Sequence, residues 1–306
     1  MKNIKGSIIL LIAAFIWGTA FVAQTSASDN VGAFTFTSIR SFIGALFLGA
    51  LLLMGKVFSK NKEKKSKEYK KRSLIGGALC GTVLFFATNL QQIGITIYPE
   101  GVASSGRAGF ITATYVVMVA LSGIFFRKKI HPIIWVAVAS SVAGMYMLCL
   151  SGGFEGIYLG DVLIFICAIC FTAHILVVDR FSDIDSILLC CLQFVVVGTV
   201  STVLMFIFET PDINGVMAAW FPILFTGVMS SGVAYTLQMA GQKNAEPAVA
   251  SIVMSLESVF SVLAGWVVLG ETLLTRELIG CVLVFAAVII AQVPEFLKPK
   301  KVSENN

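Results

Sequence analysis

The sequence predicts an all-α integral membrane protein, with ten transmembrane helices arranged as two inverted five-helix repeats. Three observations lead there. The 306 residues are 57% hydrophobic and 13% charged, with a mean hydropathy of +0.90, whereas charge makes up ~25% of a soluble domain. The apolar residues gather into runs close to the ~20 residues a helix needs to cross ~30 Å of hydrocarbon. The stretch from Gly101 to Leu148 also shares a plan with the stretch from Ala248 to Gln292: small residues, a polar spot, an aliphatic run, a charged turn and a closing helix.

Taken in order, the first span (6–24) follows Lys2 and Lys5. Its apolar stretch Gly6–Ala23 outlasts the ~7–15 residues of a signal-peptide core, so it is expected to remain as an uncleaved helix. The second (33–54) carries Arg40 and leads into the basic run Lys56–Arg72. The third (73–97) holds Thr88, Asn89, Gln91 and Gln92, and the fourth (102–125) holds Arg107 and Tyr115. The fifth (132–150) opens on Pro132, just after His131. The sixth (157–178) contains His174, and the seventh (186–208) is aliphatic. The eighth (216–238) is interrupted near its start by Pro222, tolerable where neighbours satisfy the freed carbonyl, and carries Tyr235 and Gln238. Glu257 sits near the middle of the ninth (248–269), and the tenth (276–293) closes the set.

Charge orients these spans. With a cytoplasmic N-terminus and strict alternation, nineteen of the 22 basic residues fall inside, Arg276 falls outside, and Arg40 and Arg107 lie within the membrane. That asymmetry is the positive-inside pattern, and it puts both termini in the cytoplasm. The net charge of +5 is outweighed by the single run Lys56–Arg72, which excludes a nucleic-acid reading. That run reads as a topology signal beside an anionic leaflet.

Five spans precede Glu155 and five follow it, so the halves insert upside down relative to each other. Leu90-Gln91 aligns with Leu237-Gln238, Gly94 with Gly241, Thr114-Tyr115-Val116 with Glu257-Ser258-Val259, and Ala14–Ala20 with Ala168–His174. The repeats are expected at 1–152 and 153–294, with a cytoplasmic tail at 295–306. Inverted repeats are the plan of many secondary transporters, with the substrate site near the midplane.

The seven cysteines all lie in apolar runs. Cys167 and Cys170 have C-x-x-C spacing, but mid-helix and without a second pair they read as small packing residues. No metal and no cofactor is expected.

Trp17-Gly18, Arg40, the Leu256–Glu271 segment LESVFSVLAGWVVLGE, the Leu274–Gly280 turn LTRELIG and the two five-helix halves resemble the EamA-type branch of the drug/metabolite transporter superfamily. The resemblance covers nearly the whole chain. It implies ten helices, both ends inside, a central cavity, and movement of small metabolites, often export of amino acids or related compounds. Two departures stand out. The family often has Glu-Pro where this chain has Glu257-Ser258, so helix nine lacks that proline kink, and the first-half equivalent of Glu257 is Thr114.

An ionisable group inside the membrane needs a partner or a function. Glu257 is therefore either a cavity carboxylate or one member of a structural pair. Arg107 suits bidentate contact with a carboxylate or phosphate, unless it snorkels to the surface. Arg40 reads as a structural tie from helix two to a neighbouring carbonyl or acid. His174 is a candidate proton relay or a hydrogen-bonded core residue, and Glu257 is the second candidate proton site. Asn89 and Gln92 share a face, with Gln91 pointing elsewhere. Trp17, Tyr115, Tyr235 and Gln238 supply aromatic walls and amide edges. The expected cavity set is thus Trp17, Asn89, Gln92, Arg107, Tyr115, Tyr235, Gln238 and Glu257.

The reading is a secondary transporter, an exporter in the plasma membrane of a bacterium, working by alternating access. Arg107 and Glu257 are expected to bracket a zwitterionic solute from opposite halves. The expected partners are a small-molecule substrate and the lipid bilayer, and a homodimer is one form the assembly can take. A lipid-linked carrier flippase is the alternative within transport, and a receptor or scaffold the alternative outside it. The sequence has no H-E-x-x-H and no G-x-S-x-G, so no enzyme is read.

Overall fold

The computed structural model describes residues 2–58, 65–99, 104–125, 130–149, 157–269 and 275–296. The repeat boundary expected at 152/153, residues 59–64 of the basic run, the basic turn 127–129 and the end of the tail (297–306) lie outside these residues.

All regular structure among the described residues is helical. The first half holds α1 (Lys2–Ser28), α2 (Ala33–Phe58), α3 (Lys67–Thr96), α4 (Ser104–Ala113), α5 (Tyr115–Phe125) and α6 (Pro132–Cys149). The second holds α7 (Leu159–Arg180), α8 (Ser186–Phe208), α9 (Ile213–Ala218), α10 (Trp220–Phe225), a π-helical segment (Thr226–Ala234), α11 (Tyr235–Gln242), α12 (Pro247–Met254), α13 (Leu256–Ala264), a second π-helical segment (Gly265–Leu269) and α14 (Thr275–Phe296). Among the described residues, eight helical stretches are long and apolar enough to cross a membrane, and two shorter apolar ones, Pro132–Met147 and Leu278–Ala291, fall where the fifth and tenth spans are predicted.

Burial is inverted relative to a water-soluble protein. Gln92, His174, Gln193 and Ser201 are fully buried, while Leu46, Phe125, Phe206 and Val267 are largely exposed. Polar groups gathered inside and large apolar side chains outside are the arrangement that hydrocarbon solvent imposes.

Two predicted spans are broken. The fourth divides into α4 and α5 at Thr114, whose N–H donates to Ile111 O at 3.2 Å. The ninth divides into α12 and α13 at Ser255, and no proline is involved. There Ser255 Oγ donates to Ile252 O and Ser258 Oγ donates to Ser255 O, both at 2.7 Å. Side-chain hydroxyls that compete for helix carbonyls bend or interrupt the ladder. The eighth span absorbs Pro222 by starting afresh: α9 stops at Ala218, and Pro222 lies in the opening turn of α10, where a missing N–H is harmless.

The main packing pairs are α6 with α14, α2 with α8, α3 with α7 and α8, and α1 with α11 and α13. Each joins the N-terminal half to the C-terminal half. At two crossings a pair of glycines meets, each facing the other's carbonyl. A Cβ on Gly94 would lie 3.1 Å from Gly160 O, and one on Gly160 would lie 2.8 Å from Gly94 O. At the crossing of α1 and α11, a Cβ on Gly6 would lie 2.9 Å from Gly241 O, and one on Gly241 would lie 3.1 Å from Gly6 O. Such approaches admit only glycine, the small-residue packing of membrane helices.

Candidate functional site

A cavity opens between the two halves. From the first half it takes Trp17, Phe21 and Gln24 of α1, Arg40 of α2, Gln91 of α3, Thr112 of α4 and Tyr115 of α5. From the second it takes Phe171 and Ile175 of α7, Ser230 of the first π-helical segment, Tyr235 and Gln238 of α11, Met254 of α12 and Glu257 of α13. It holds about 510 Å³ of space unfilled by protein, some of it open to the outside.

Both broken spans end at this cavity. Tyr115 follows the break at Thr114, and Glu257 lies two residues past the break at Ser255. The two side chains meet across the halves: Tyr115 Oη donates to Glu257 Oε1 at 3.1 Å. Helix α1 comes close to α13 because residue 18 is glycine, where a Cβ would lie 2.4 Å from Phe260 Cβ and 2.8 Å from Glu257 O. That approach sets Trp17 into the cavity beside Glu257. The Trp17 ring stacks edge-on to Tyr235, with centroids 4.8 Å apart, and its Nε1 finds no hydrogen-bond partner in the protein.

Arg40 enters from α2. Its guanidinium lies 5.2 Å from the centre of the Phe36 ring, and Nη1 reaches Gln24 Oε1 at 3.4 Å. Its buried Nε has no partner. Among the described residues the ion pairs join Arg72 to Asp183 and Arg107 to Asp161, so Arg40 and Glu257 share the cavity without pairing. The arrangement offers one guanidinium and one carboxyl, from opposite halves, between aromatic walls.

The structure brings Trp17, Tyr115, Tyr235, Gln238 and Glu257 of the expected set together, and places Asn89, Gln92, Arg107 and His174 elsewhere. Asn89 Nδ2 donates to Ser201 Oγ at 3.0 Å, in the interface of α3 and α8. Gln92 Nε2 donates to Gln24 O at 3.4 Å, while Gln91 is the amide that lines the cavity and donates to Thr112 Oγ1 at 3.1 Å. The amides sit on the expected turns of α3, but the helix is rotated so that the other face looks inward. His174 Nε2 lies 3.0 Å from Gln193 Oε1 in a fully buried pair.

Arg107 does not face Glu257. Its Nε and Nη2 donate to Asp161 Oδ1 and Oδ2 at 2.6 and 2.7 Å, a bidentate pair in which both side chains are about nine-tenths buried. Tyr98 Oη donates to Asp161 Oδ1 at 2.7 Å, and the Tyr158 backbone N–H donates to Oδ2 at 2.9 Å. The Tyr158 ring lies 4.9 Å below the Arg107 guanidinium. Asp161 is the third residue of α7, a position where a carboxylate meets the positive end of the helix. An acid in a first turn was the available signal for this pair. No comparable signal marks Arg40 as the cavity cation, because its role depends on which way α2 faces.

Comparison with known proteins adds a family. The profile of the EamA-like transporter family matches residues 4–150 and again 158–292. An uncharacterized transporter of Archaeoglobus fulgidus is 27% identical over 292 residues, covering 95% of this chain and 86% of that protein. YoaV of Bacillus subtilis, an uncharacterized transporter, is 22% identical over 94% of this chain and 96% of its own length. YedA of Escherichia coli, an uncharacterized inner membrane transporter, is 24% identical over 94% and 90%. A solved crystal structure superposes with a TM-score of 0.76 at 18% identity, covering 95% of this chain and 99% of that one, so the fold is shared.

Proposed function

The chain belongs to the EamA-like transporter family, and from that premise we propose that it exports small organic metabolites, amino acids or related compounds, by alternating access through the cavity. The observation that carries this reading is the cavity itself, which draws a carboxyl and a guanidinium from opposite halves. A site lined by both halves changes its exposure when one half rocks against the other, as in inverted-repeat carriers.

Two inverted five-helix repeats make up this carrier. The alignment that pairs Gly94 with Gly241 and Ala14 with Ala168 also carries Gly6 onto Gly160. The four glycines then form two contacts, Gly94–Gly160 and Gly6–Gly241, that exchange under the repeat. Both termini are cytoplasmic and the membrane is the plasma membrane, in keeping with the charge asymmetry and with the inner-membrane relative.

The test is uptake into proteoliposomes of labelled amino acids, nucleobases and sugars, with and without a pH gradient. Saturable flux of an amino acid is expected. A response to the gradient that disappears in Glu257→Gln would assign proton coupling to the cavity carboxyl. Absence of flux for every solute, with correctly inserted protein, would reject the reading.

A further inference from the structure

We infer that Arg40 is the residue that recognises the transported solute, and that the solute therefore carries a carboxylate; the inference rests on the cavity being the transport site. A guanidinium has five N–H donors and cannot shed its charge. Arg40 is 4% exposed, and its contacts are the Phe36 ring and a single long bond to Gln24. Nε, on the side a bidentate ligand would use, is unpartnered. A buried charge left this poorly matched is costly, and here it borders a cavity rather than a protein acid. By contrast, Arg107 shows how this chain treats a structural arginine: both arms are taken by Asp161, with a tyrosine ring beneath.

The neighbouring groups narrow the ligand further. Trp17 Nε1 is a second unpaired donor in the cavity, and Gln238 Oε1 is an unpaired acceptor. Glu257 supplies a carboxyl whose Oε1 accepts a hydrogen bond from Tyr115. A carboxylate pairs with Arg40 in the fork-to-fork geometry that guanidinium favours, and donors elsewhere on the solute meet Gln238 and Glu257. A phosphate monoester brings nearly two negative charges at pH 7, and Arg40 is the one basic side chain among the described residues that line the cavity, so a carboxylate is the better match. The guanidinium is also held in place. Its backbone sits where α2 crosses the π-helical segment, with a Cβ on Gly227 reaching within 3.0 Å of Arg40 O, and Phe36 lies one turn away on the same helix.

The test compares acids with their amides. In detergent, thermal stabilisation by benzoate and by benzamide would be measured for the wild type, Arg40→Lys and Arg40→Gln. In proteoliposomes, the same proteins would be offered L-phenylalanine and L-phenylalaninamide. Removing the guanidinium is expected to weaken the acids about 10–100-fold and leave the amides within about threefold, with Arg40→Lys in between. Equal responses to acid and amide in the wild type, or equal losses for both in Arg40→Gln, would overturn the inference. If Arg40→Gln does not fold, Arg40→Lys decides by the same ratio. Benzoate discrimination without any flux would leave the anion site standing and remove the transport reading; flux with unaltered discrimination would do the reverse.

Discussion

Where α3 crosses α7, at Gly94 and Gly160, a bidentate ion pair is buried beside the contact; where α1 crosses α11, at Gly6 and Gly241, there is no buried ion pair among the described residues. The register of the repeat carries Arg107 onto Ala250, Asp161 onto Ser7 and Tyr98 onto Ala245. The backbone approach is therefore duplicated and the charge is not. Glycine sets how near the helices come, and the clamp is an addition made at one end. In the proposed topology that end faces outward, and the clamp joins α4 of the first half to α7 of the second. The end with the bare crossing has its own ion pair, Arg72–Asp183 at 2.8 Å, but it is exposed to solvent.

The largest effect should come from halving the clamp. Arg107→Ala or Asp161→Ala leaves one buried charge unpaired, and each is expected to destabilise the protein by about 3–5 kcal/mol. The double variant should lose much less than the sum of the two, read as thermal unfolding in detergent. Single variants close to wild type would mean that the two ends do not differ in the way described.

Glycine replacement tests the part the crossings share. Gly160→Val and Gly6→Val should each destabilise by about 1–3 kcal/mol through forced displacement of the facing helix. A large loss at one site and none at the other would break the equivalence of the two crossings.

The smallest effect belongs to the exposed pair. The Arg72 hydrogen bond holds the Asp183 carboxyl below its ordinary value of 3.8. A lowered carboxylate value adds stability that is complete above that ordinary value and is lost as pH falls below it. Arg72→Ala should remove only this shallow acid-side dependence, and added salt should mask it. A drop in stability at pH 7 rivalling that of Arg107→Ala would erase the contrast between a buried clamp and an exposed one.

Hydropathy made the helices legible, because hydrocarbon thickness fixes their length and charge is excluded from their middles. The inner workings were harder to see. Arg40 and Arg107 look alike in sequence, each an arginine near small residues early in an apolar run. What separates them is the partner across the interface: an acid from α7 for Arg107, a ring from its own helix for Arg40. Helix rotation is equally hidden, and it exchanges Gln91 for Gln92 at the cavity wall. The breaks at Thr114 and Ser255 carry no proline. Serine and threonine occur throughout these helices, and Thr88 and Thr172 bond to carbonyls one turn back just as Ser255 and Ser258 bond to theirs, yet their helices run on unbroken.

The π-helical segment Thr226–Ala234 gives its helix slack in length. A π-helix takes up a surplus residue by widening its turn, so each of its residues rotates the chain by less than the ~100° of an α-helix. Deleting one residue there would tighten the stretch toward plain α-helix, and Tyr235 and Gln238 in the next helix would keep facing the cavity. The same deletion inside α8, which is α-helical throughout, would turn everything beyond it by ~100°. One missing residue is thus absorbed in the first helix and re-aims a whole face in the second.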